Sequence, residues 1–416
     1  MMYGCIGEHL PHSFSAEIHR MIGRYDYALQ EIAPEHLDAF MRARGFLGIN
    51  VTIPYKQAVI PYLDTVSDTA RAIGAVNTIV NRDGALHGYN TDFDGLTRLI
   101  ARLGLNVRGK KALILGTGGT SKTALYALRA LGAAQAIRVS RTGREGAITY
   151  QDAARLHADA QVILNTTPCG MYPRIDEAPI SLAAFPQLEG VADAIYNPLR
   201  SRLILEARAR GIKAAGGLYM LVAQAVRAAE IFTDTPCPDG LTDGIYGRLL
   251  RQKQNIALIG MPGSGKSTVA AELGFRLGRE VIDTDRVIEA QAGRPIPELF
   301  ASEGEGYFRD LESRIIAGLA GRSGLILSTG GGAVLRAENV TALRQNSRLY
   351  WLDRPQEALL PTDDRPLADS REKIARLYQQ RQPIYQSAAD EIIPVAGTAR
   401  EAAQEIESRW NTCASL

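Results

Sequence analysis

The sequence predicts an α/β fold with parallel sheets, divided into two parts near residue 254. Two stretches, 111–131 and 255–277, show an apolar strand pattern that runs through a glycine-rich loop into a helical pattern. Between residues 101 and 252, short apolar runs alternate with helical patterns, which is typical of a parallel, doubly wound sheet. About 255 residues precede the second loop and about 160 follow it, so each part is long enough for its own core.

Composition places the chain among soluble globular proteins. Of its 416 residues, 46% are hydrophobic and 22% are charged, and the net charge of +2 gives no indication of nucleic-acid or membrane binding. No apolar run approaches the roughly 20 residues of a membrane span, and the N-terminus lacks the pattern of a secretory signal. We expect a cytoplasmic protein with reduced thiols and no zinc site, and its oligomeric state stays open. The four cysteines are far apart: Cys5, Cys169, Cys237 and Cys413.

Polar residues of the first hundred positions fall into four clusters. Singly, each has an ordinary alternative, because serines cap helices and lysine or aspartate is usually a solvated surface charge. Between the last two clusters, the turn Arg82-Asp83-Gly84 predicts a β-hairpin. The clusters are His12-Ser13-Phe14-Ser15, Asn50-Val-Thr52-Ile-Pro-Tyr-Lys56, Gly74-Ala-Val-Asn77-Thr78 and Gly88-Tyr-Asn90-Thr-Asp92.

Together these clusters resemble the substrate domain of the shikimate dehydrogenase family, and the resemblance extends to about residue 252. It implies that Lys56 and Asp92 form the catalytic pair. A lysine beside a carboxylate can supply the proton that a reduced ketone needs. The family's proline after the second serine is Ala16 here, which changes the start of the helix. The residues that the resemblance assigns to the polyhydroxylated substrate are Ser13, Ser15, Thr52, Asn77 and Asp92.

The first glycine-rich loop predicts a dinucleotide site. A glycine turn between strand and helix places a pyrophosphate on the helix N-terminus, and here Gly116, Gly118, Gly119 and Thr120 form that turn. The next strand ends at Ser140-Arg141-Thr142-Gly-Arg144, where such a fold contacts the adenosine ribose. Two arginines in place of an acid favour the 2′-phosphate of NADP, and the alternative is that they are ordinary surface arginines.

Later motifs continue the family resemblance. Thr166 lies in a stretch similar to the family's N-[AT]-T-P-x-G-M and is expected at the cofactor site. The family's N-R-T-x-x-[KR] motif has a counterpart here that begins with Ser140 in place of asparagine, a departure that bears on the preference for NADP. Tyr196 lies in a D-x-x-Y-x-P loop and is expected at the substrate. The resemblance also implies that Gly217 contacts nicotinamide and that Gln224 contacts substrate.

The second glycine-rich loop, 260–268, matches G-x-x-x-x-G-K-[ST], which wraps the phosphates of a nucleoside triphosphate. Lys266 would reach the β- and γ-phosphates, and the Ser267 hydroxyl would bind Mg²⁺. Asp283, just past the next apolar run, is the second candidate magnesium ligand. A chance glycine-rich turn is the alternative. The remaining predicted ATP contacts in this loop are Gly263, Ser264, Gly265 and Thr268.

The segment that follows resembles the shikimate kinase family over nearly its whole length. Its D-x-D, G-E-x-x-F-R-x-x-E, T-G-G-G, R-P-L and R-x-P-x-Y motifs are all present. The resemblance implies that Asp285 orients or deprotonates the attacking hydroxyl and that Arg365 lies on a lid over ATP. Residues 355–364 are short and acidic where the family's lid is longer and more basic. The residues assigned to shikimate are Asp285, Arg309, Gly331 and Arg381.

Both resemblances predict one bifunctional enzyme that uses NADP(H), ATP and Mg²⁺. The implied architecture is a shikimate-dehydrogenase-like α/β substrate domain (1–100, completed by helices at about 219–252) and a Rossmann domain (101–218). A P-loop kinase domain with a five-stranded parallel sheet (254–416) follows. Two alternatives stay open: a quinate/shikimate dehydrogenase in the first part, and a non-catalytic metabolite-sensing protein.

Overall fold

Three β-sheets with helices against them organise the residues that the computed structural model describes, which are 2–10, 14–144, 146–359 and 370–412. These residues separate into two units. Unit 1 consists of Met1–Met171, Glu177–Tyr196 and Glu206–Leu249, and unit 2 consists of Tyr172–Asp176, Asn197–Leu205 and Leu250–Leu416. The three-domain division drawn from the sequence stays a prediction beside this one.

The first sheet of unit 1 is mixed and has the strand order β2-β1-β3-β5-β6-β4. Strands β5 and β6 form the predicted hairpin, which turns at Asp83 and Gly84, both with positive φ. The elements of this region are β1 (Tyr3–Gly7), α1 (Ser15–Ile22), β2 (Tyr27–Glu31), α2 (Leu37–Ala43), β3 (Gly48–Val51), β4 (Thr65–Val66), α3 (Asp68–Ile73), β5 (Thr78–Arg82), β6 (Ala85–Tyr89) and α4 (Thr91–Arg102).

The second sheet of unit 1 is wholly parallel, with the order β12-β11-β10-β7-β8-β9. The order reverses at β7, and the glycine-rich loop follows that strand, as expected for a dinucleotide-binding sheet. Its elements are β7 (Lys111–Leu115), α5 (Gly119–Ala130), β8 (Gln135–Ser140), β9 (Ile148–Thr149), α6 (Tyr150–Leu156), β10 (Val162–Asn165), β11 (Gly190–Asp193), α7 (Arg202–Ala209) and β12 (Lys213–Ala215).

Two helices follow the second sheet, α8 (Leu218–Thr233) and α9 (Leu241–Lys253). Helix α8 packs closely on α4, because Gly95 lacks a side chain: a Cβ there would lie 2.6 Å from the carbonyl oxygen of Met220. This approach brings Gln224 of α8 beside the first turn of α4. Helix α8 therefore contacts α4, the last helix before the second sheet.

The sheet of unit 2 has five parallel strands in the order β14-β15-β13-β16-β17, as predicted. Apolar residues of both sheet faces form its core. Helix α12 is broken at Gly304, whose φ of 82° is not helical. The elements are β13 (Asn255–Ile259), α10 (Lys266–Leu277), β14 (Val281–Asp283), α11 (Thr284–Ala292), α12 (Ile296–Ala320), β15 (Ile326–Ser328), α13 (Ala337–Asn346), β16 (Ser347–Asp353), α14 (Arg371–Ala388), β17 (Glu391–Pro394) and α15 (Ala399–Thr412).

Two short segments from earlier in the chain, 172–176 and 197–205, belong to unit 2. There the Leu199 amide donates to Asn346 Oδ1 over 2.7 Å, and the Arg200 amide donates to Gln345 O over 3.0 Å. The Gln345 side chain in turn donates to the Ile175 carbonyl over 2.5 Å. The boundary of unit 2 therefore does not coincide with the single sequence position at which the two resemblances meet.

Candidate active sites

Lys56 and Asp92, predicted to act together, are in contact in unit 1. Lys56 Nζ donates to Asp92 Oδ2 over 2.5 Å, and the two side chains are 17% and 11% exposed. Asp92 lies in the first turn of α4, which the Asn90 side chain caps by accepting from the Phe93 amide. The positive end of the helix favours a carboxylate at this position. A proton donor and the charge that orients it are thus fixed side by side.

Asn77 connects this pair to the rest of the predicted substrate site. Its Nδ2 donates to Asp92 Oδ1 over 3.0 Å, and its Oδ1 accepts from the Thr91 amide over 2.7 Å. The Thr91 hydroxyl donates to Gln224 Oε1 over 3.3 Å. Asn77 therefore contacts Asp92 directly and is connected to Gln224 through Thr91. Thr91 is buried and was not predicted, although it lies inside the Gly88–Asp92 cluster.

The other predicted substrate residues of this site stand around the network. Thr52 is half-buried just after β3, and within the described residues its side chain makes no hydrogen bond to the network. Ser15 begins α1. The Tyr196 ring lies against the Phe14 ring, with centroids 5.2 Å apart, and burial raises the pKa of Tyr196. Ser13 lies outside the described residues.

The predicted dinucleotide loop lies next to Lys56. Gly116 has a φ of +115°, and a Cβ there would lie 2.8 Å from Thr166 Oγ1, which itself donates to Leu115 O over 2.6 Å. Gly118 caps α5 and has open space around the position of a Cβ, while the corresponding position on Gly119 lies 3.8 Å from Lys56 Cδ. The N-terminus of a helix with room beside it, as at Gly118, fits a pyrophosphate. Thr120 lies in the first turn of the same helix.

The turn after β8 carries the residues predicted to select NADP. Ser140 Oγ accepts from the Gly143 amide over 3.1 Å and so holds the turn closed. Arg141, Thr142 and Arg144 are exposed on it, and neither arginine has an ion-pair partner among the residues described. Two unengaged guanidinium groups on one turn fit a 2′-phosphate.

Gly217 occupies a position that only glycine fits. A Cβ there would lie 2.2 Å from the Ala194 carbonyl oxygen, and the Gly217 amide donates to Ile195 O over 2.7 Å. The end of β11, just before Ala194, is held to the end of β10, because Asp193 Oδ1 accepts from Asn165 Nδ2 over 3.0 Å. The motifs that contain Thr166, Tyr196 and Gly217 are therefore tied together at the carboxyl ends of adjacent strands.

In unit 2 the P-loop follows β13, as predicted. Gly263 and Gly265 have φ values of 81° and 92°, a conformation in which glycine is favoured. Lys266 is buried, and its Nζ donates to Gly260 O over 2.9 Å and to Met261 O over 2.8 Å. The buried Ser264 hydroxyl has no hydrogen-bond partner among the residues with a described structure. Such a loop, with a fixed lysine and an unsatisfied hydroxyl, fits phosphate oxygens; Thr268 follows in the first turn of α10.

The two predicted magnesium ligands are adjacent. Ser267 Oγ donates to Asp283 Oδ2 over 2.6 Å. One hydroxyl and one carboxylate suit Mg²⁺, which takes its other ligands from water and nucleotide phosphates. Consistent with this sparse donor set, the described residues contain no group of three or more His, Cys, Asp or Glu side chains arranged to bind a metal.

Asp285, the predicted base, has a perturbed carboxyl group. Its Oδ1 is shielded from solvent and has no hydrogen-bond partner in the described part of the chain. Burial raises its pKa to about 6, and the negative charges of Asp283 and Glu312 add to the rise while Lys266 and Arg309 oppose it. An unpaired carboxylate oxygen of this kind fits a hydroxyl donor on a substrate.

Arg309 is held by two glutamates of its own helix, α12. Its Nη1 donates to Glu312 Oε2 over 2.7 Å, and its Nη2 donates to Glu305 Oε1 over 3.2 Å. Glu312 is fully buried, and burial raises its pKa. We assigned Glu312 no role, although it ends the quoted G-E-x-x-F-R-x-x-E motif.

Arg381 and the glycine loop complete this site. Arg381 is buried on α14, and its Nη1 donates to Gly331 O over 3.1 Å. Tyr385 donates to the same carbonyl oxygen, and the buried Thr284 accepts from the Gly330 amide over 3.0 Å. Neither Tyr385 nor Thr284 was predicted, although Tyr385 closes the R-x-P-x-Y motif. Arg365 lies outside the described residues.

Two protein-family descriptions match this chain. Residues 5–79 match the shikimate dehydrogenase substrate binding domain, and residues 262–411 match shikimate kinase. A shikimate dehydrogenase (NADP⁺) of Clostridium beijerinckii is 36% identical over 261 residues, which cover 59% of this chain and 96% of that protein. No helix among the described residues has the length and apolar character needed to cross a membrane.

Solved structures show the same similarity. Shikimate dehydrogenase 1 of Peptoclostridium difficile has 37% identity and a TM-score of 0.56, over 60% of this chain and 97% of that one. A Thermus thermophilus shikimate 5-dehydrogenase in complex with NADP(H) and shikimate has 28% identity and a TM-score of 0.54, over 60% and 99%. These matches confirm the predicted fold, families, enzyme classes and cofactors, namely NADP(H), ATP and Mg²⁺.

Proposed function

The chain belongs to the shikimate dehydrogenase family and carries a shikimate kinase domain, and we propose that it catalyses two consecutive reactions. The first part reduces 3-dehydroshikimate to shikimate with NADPH. The last part phosphorylates the 3-hydroxyl of shikimate with Mg·ATP. We assign these parts to a substrate domain (1–100 with about 219–252), a Rossmann domain (101–218) and a kinase domain (254–416). We also propose a cytoplasmic location, the compartment in which the predicted reduced thiols would persist.

In the reduction, bound NADPH supplies hydride to the carbonyl carbon, and the chain supplies the proton. The carbonyl π-electrons become an alkoxide lone pair, which takes a proton from Lys56 Nζ, and solvent restores that proton. Asp92 keeps Lys56 in place, as their 2.5 Å hydrogen bond indicates. Ser13, Ser15, Thr52, Asn77, Tyr196 and Gln224 would hold the hydroxyls and carboxylate. Such positioned acid catalysis contributes about 10²–10⁴ in rate.

In the phosphorylation, Asp285 accepts the proton of the substrate hydroxyl. The freed oxygen bonds to the terminal phosphorus of ATP as the bond to the ADP oxygen breaks. Arg309 and Arg381 would bind the substrate carboxylate from two sides, and Lys266 would offset the charge on the phosphates. Ser267 and Asp283 would hold Mg²⁺, which adds positive charge there. In this class of reaction, positioning and electrostatic stabilisation provide most of the rate.

The observation that carries the proposal is the pair of separate acid–base groups, one beside each glycine-rich loop. Lys56, which contacts Asp92, lies next to the dinucleotide loop, and the unpaired Asp285 oxygen lies in the P-loop unit. Each group has the proton-transfer capacity that its proposed reaction requires. A metabolite-binding protein has no need for either group to be positioned for proton transfer.

The test is a coupled assay of the purified chain with 3-dehydroshikimate, NADPH and ATP. We expect NADPH oxidation followed by formation of shikimate 3-phosphate and ADP. Lys56→Ala should abolish reduction and spare phosphorylation of added shikimate, and Lys266→Ala should do the reverse. A folded chain that consumes neither NADPH nor ATP would refute the proposal. Faster oxidation of quinate than of shikimate in the reverse assay would move the first part to the quinate/shikimate alternative.

A further inference from the structure

A second cation stands beside the P-loop, and no motif in the sequence predicted it. Arg354 directly follows β16, and its Nη1 lies 3.8 Å from where a Cβ on Gly265 would be. Gly265 caps the N-terminus of α10 and precedes Lys266, so its amide belongs to the part of the loop that surrounds phosphates. The guanidinium is therefore adjacent to the phosphate-binding backbone.

The sheet fixes the backbone of Arg354 at this place. Strand β16 pairs in parallel with β13, the strand that leads into the P-loop, with Trp351 opposite Ile259. A Cβ on Gly260 would lie 2.8 Å from the Leu352 carbonyl oxygen, so the two strand ends approach closely. On the other side, the Val395 amide donates to Asp353 O over 2.9 Å. Arg354 is thus presented by the end of a central strand of the sheet.

Among the residues that the structure describes, the Arg354 side chain has no partner that accounts for its position. Its Nε is shielded from solvent and donates no hydrogen bond to any of them, and none of their carboxylates forms an ion pair with its guanidinium. The buried Arg309, in contrast, contacts two glutamates. A shielded, unpaired guanidinium nitrogen is costly unless a ligand satisfies it, and an anion is the ligand that a guanidinium prefers.

The sequence beyond Arg354 adds a reason for a cation here. Residues 355–364 contain no lysine or arginine and three acidic residues. A nucleoside triphosphate brings several negative charges into the loop, and Lys266 meets only part of them. Arg354, at the end of β16, directly precedes this stretch and supplies a cation beside the loop.

We propose that Arg354 is a nucleotide-binding residue whose guanidinium donates to the α- or β-phosphate of ATP. The inference rests on the proposed kinase function. The α/β assignment follows from the position of Gly265, because P-loop amides surround these two phosphates whereas the loop lysine reaches towards the γ-phosphate. Arg354 would then bind ADP as well as ATP.

The test measures binding of Mg·ADP and Mg·ATP to the full chain by calorimetry, together with KM values for ATP and shikimate. Charge-assisted hydrogen bonds correspond to roughly ten- to hundredfold in affinity. Arg354→Ala and Arg354→Gln should each lower the affinity for both nucleotides by at least about tenfold. The KM for shikimate should stay within about twofold of its value in the unaltered chain. The matched control is Arg314→Ala, which replaces an exposed arginine on α12 and should leave the affinity for both nucleotides unchanged.

The outcomes separate this inference from the proposed function. If the unaltered chain binds no ATP and phosphorylates nothing, the kinase assignment fails. If the unaltered chain is active and the Arg354 variants bind both nucleotides normally, only the role of Arg354 fails. If the variants bind ATP more weakly but ADP normally, the contact lies at the γ-phosphate and the α/β assignment is overturned. A measurement on the unaltered chain guards against misfolded variants: Mg·ADP should protect Arg354 from a dicarbonyl reagent in peptide mapping, and unprotected modification would refute the contact.

Discussion

Replacing Asp285 with asparagine should stabilise unit 2 and stop phosphorylation. The pKa of Asp285 rises from 3.8 to about 6, so at pH 7.5 the folded chain carries a carboxylate that its surroundings disfavour. A rise of that size corresponds to about 3 kcal/mol, because each pKa unit is worth about 1.4 kcal/mol. Since the group is strongly coupled to its neighbours, we expect a gain of about 1–3 kcal/mol for the neutral, isosteric asparagine.

The sign of the pH dependence follows from the direction of the rise. A carboxyl whose folded pKa is raised favours the fold below its unfolded pKa, near 4, and loses that contribution as the pH rises through its folded pKa, near 6. The advantage of Asp285→Asn should therefore be full above about pH 7, shrink as the pH falls through 6, and vanish near pH 4.

The assay is thermal unfolding of the full chain without nucleotide at pH 7.5 and pH 4.5, beside kinase turnover. About 1–3 kcal/mol corresponds to a rise in Tm of roughly 2–12 °C for a unit of this size. Phosphorylation should fall by about 10²–10⁴ while reduction of 3-dehydroshikimate is unchanged. A variant less stable than the original at pH 7.5, or a gain that is the same at both pH values, would show that the carboxylate is not destabilising.

Two further predictions concern the dehydrogenase. Gly217→Ala should remove most NADPH-dependent reduction without touching kinase turnover, because the new Cβ would lie 2.2 Å from Ala194 O; a variant with normal KM and kcat would mean that this loop moves freely. The double change Arg141→Ala and Arg144→Ala should raise the KM for NADPH by about tenfold or more and leave that for NADH nearly unchanged, since each charge-assisted phosphate contact is worth about 1.5–3 kcal/mol. Equal effects on both cofactors would rule out selection through the 2′-phosphate.

Local patterns predicted the parallel sheet of 101–252, the hairpin and both glycine-rich loops correctly, whereas the strand order of the mixed first sheet was not predicted. The hairpin turn needs positive φ at Asp83 and Gly84, and an aspartate followed by glycine is a strong local signal for it. The strand–loop–helix at 255–277 is similarly specified within a short stretch, where apolar period and glycine positions agree. These features depend on neighbours in sequence, which is why the sequence alone sufficed.

Properties that depend on distant residues could not be predicted in this way. The 2.5 Å contact of Lys56 with Asp92 joins residues 36 positions apart, and only the family resemblance indicated it. The raised pKa of Asp285 arises from burial, from the nearby Asp283 and from Glu312, and the position of Glu312 depends on the packing of α12. Arg354 lies in none of the recognised motifs, and its proximity to Gly265 results from the pairing of β16 with β13. The assignment of 172–176 and 197–205 to unit 2 likewise has no sequence signal.

The glycine run 330–332 has a consequence for how this kinase can change. A methyl group on Gly330 would meet Asp285 Oδ1 at 2.7 Å, one on Gly331 would meet Pro262 at 2.7 Å, and one on Gly332 would meet the Arg309 guanidinium at 2.2 Å. Each of the three glycines therefore lies against a different residue of the candidate site, and even an alanine side chain would displace that residue. A change of substrate selectivity would therefore require substitutions at the surrounding residues, because the glycines leave no space for a side chain.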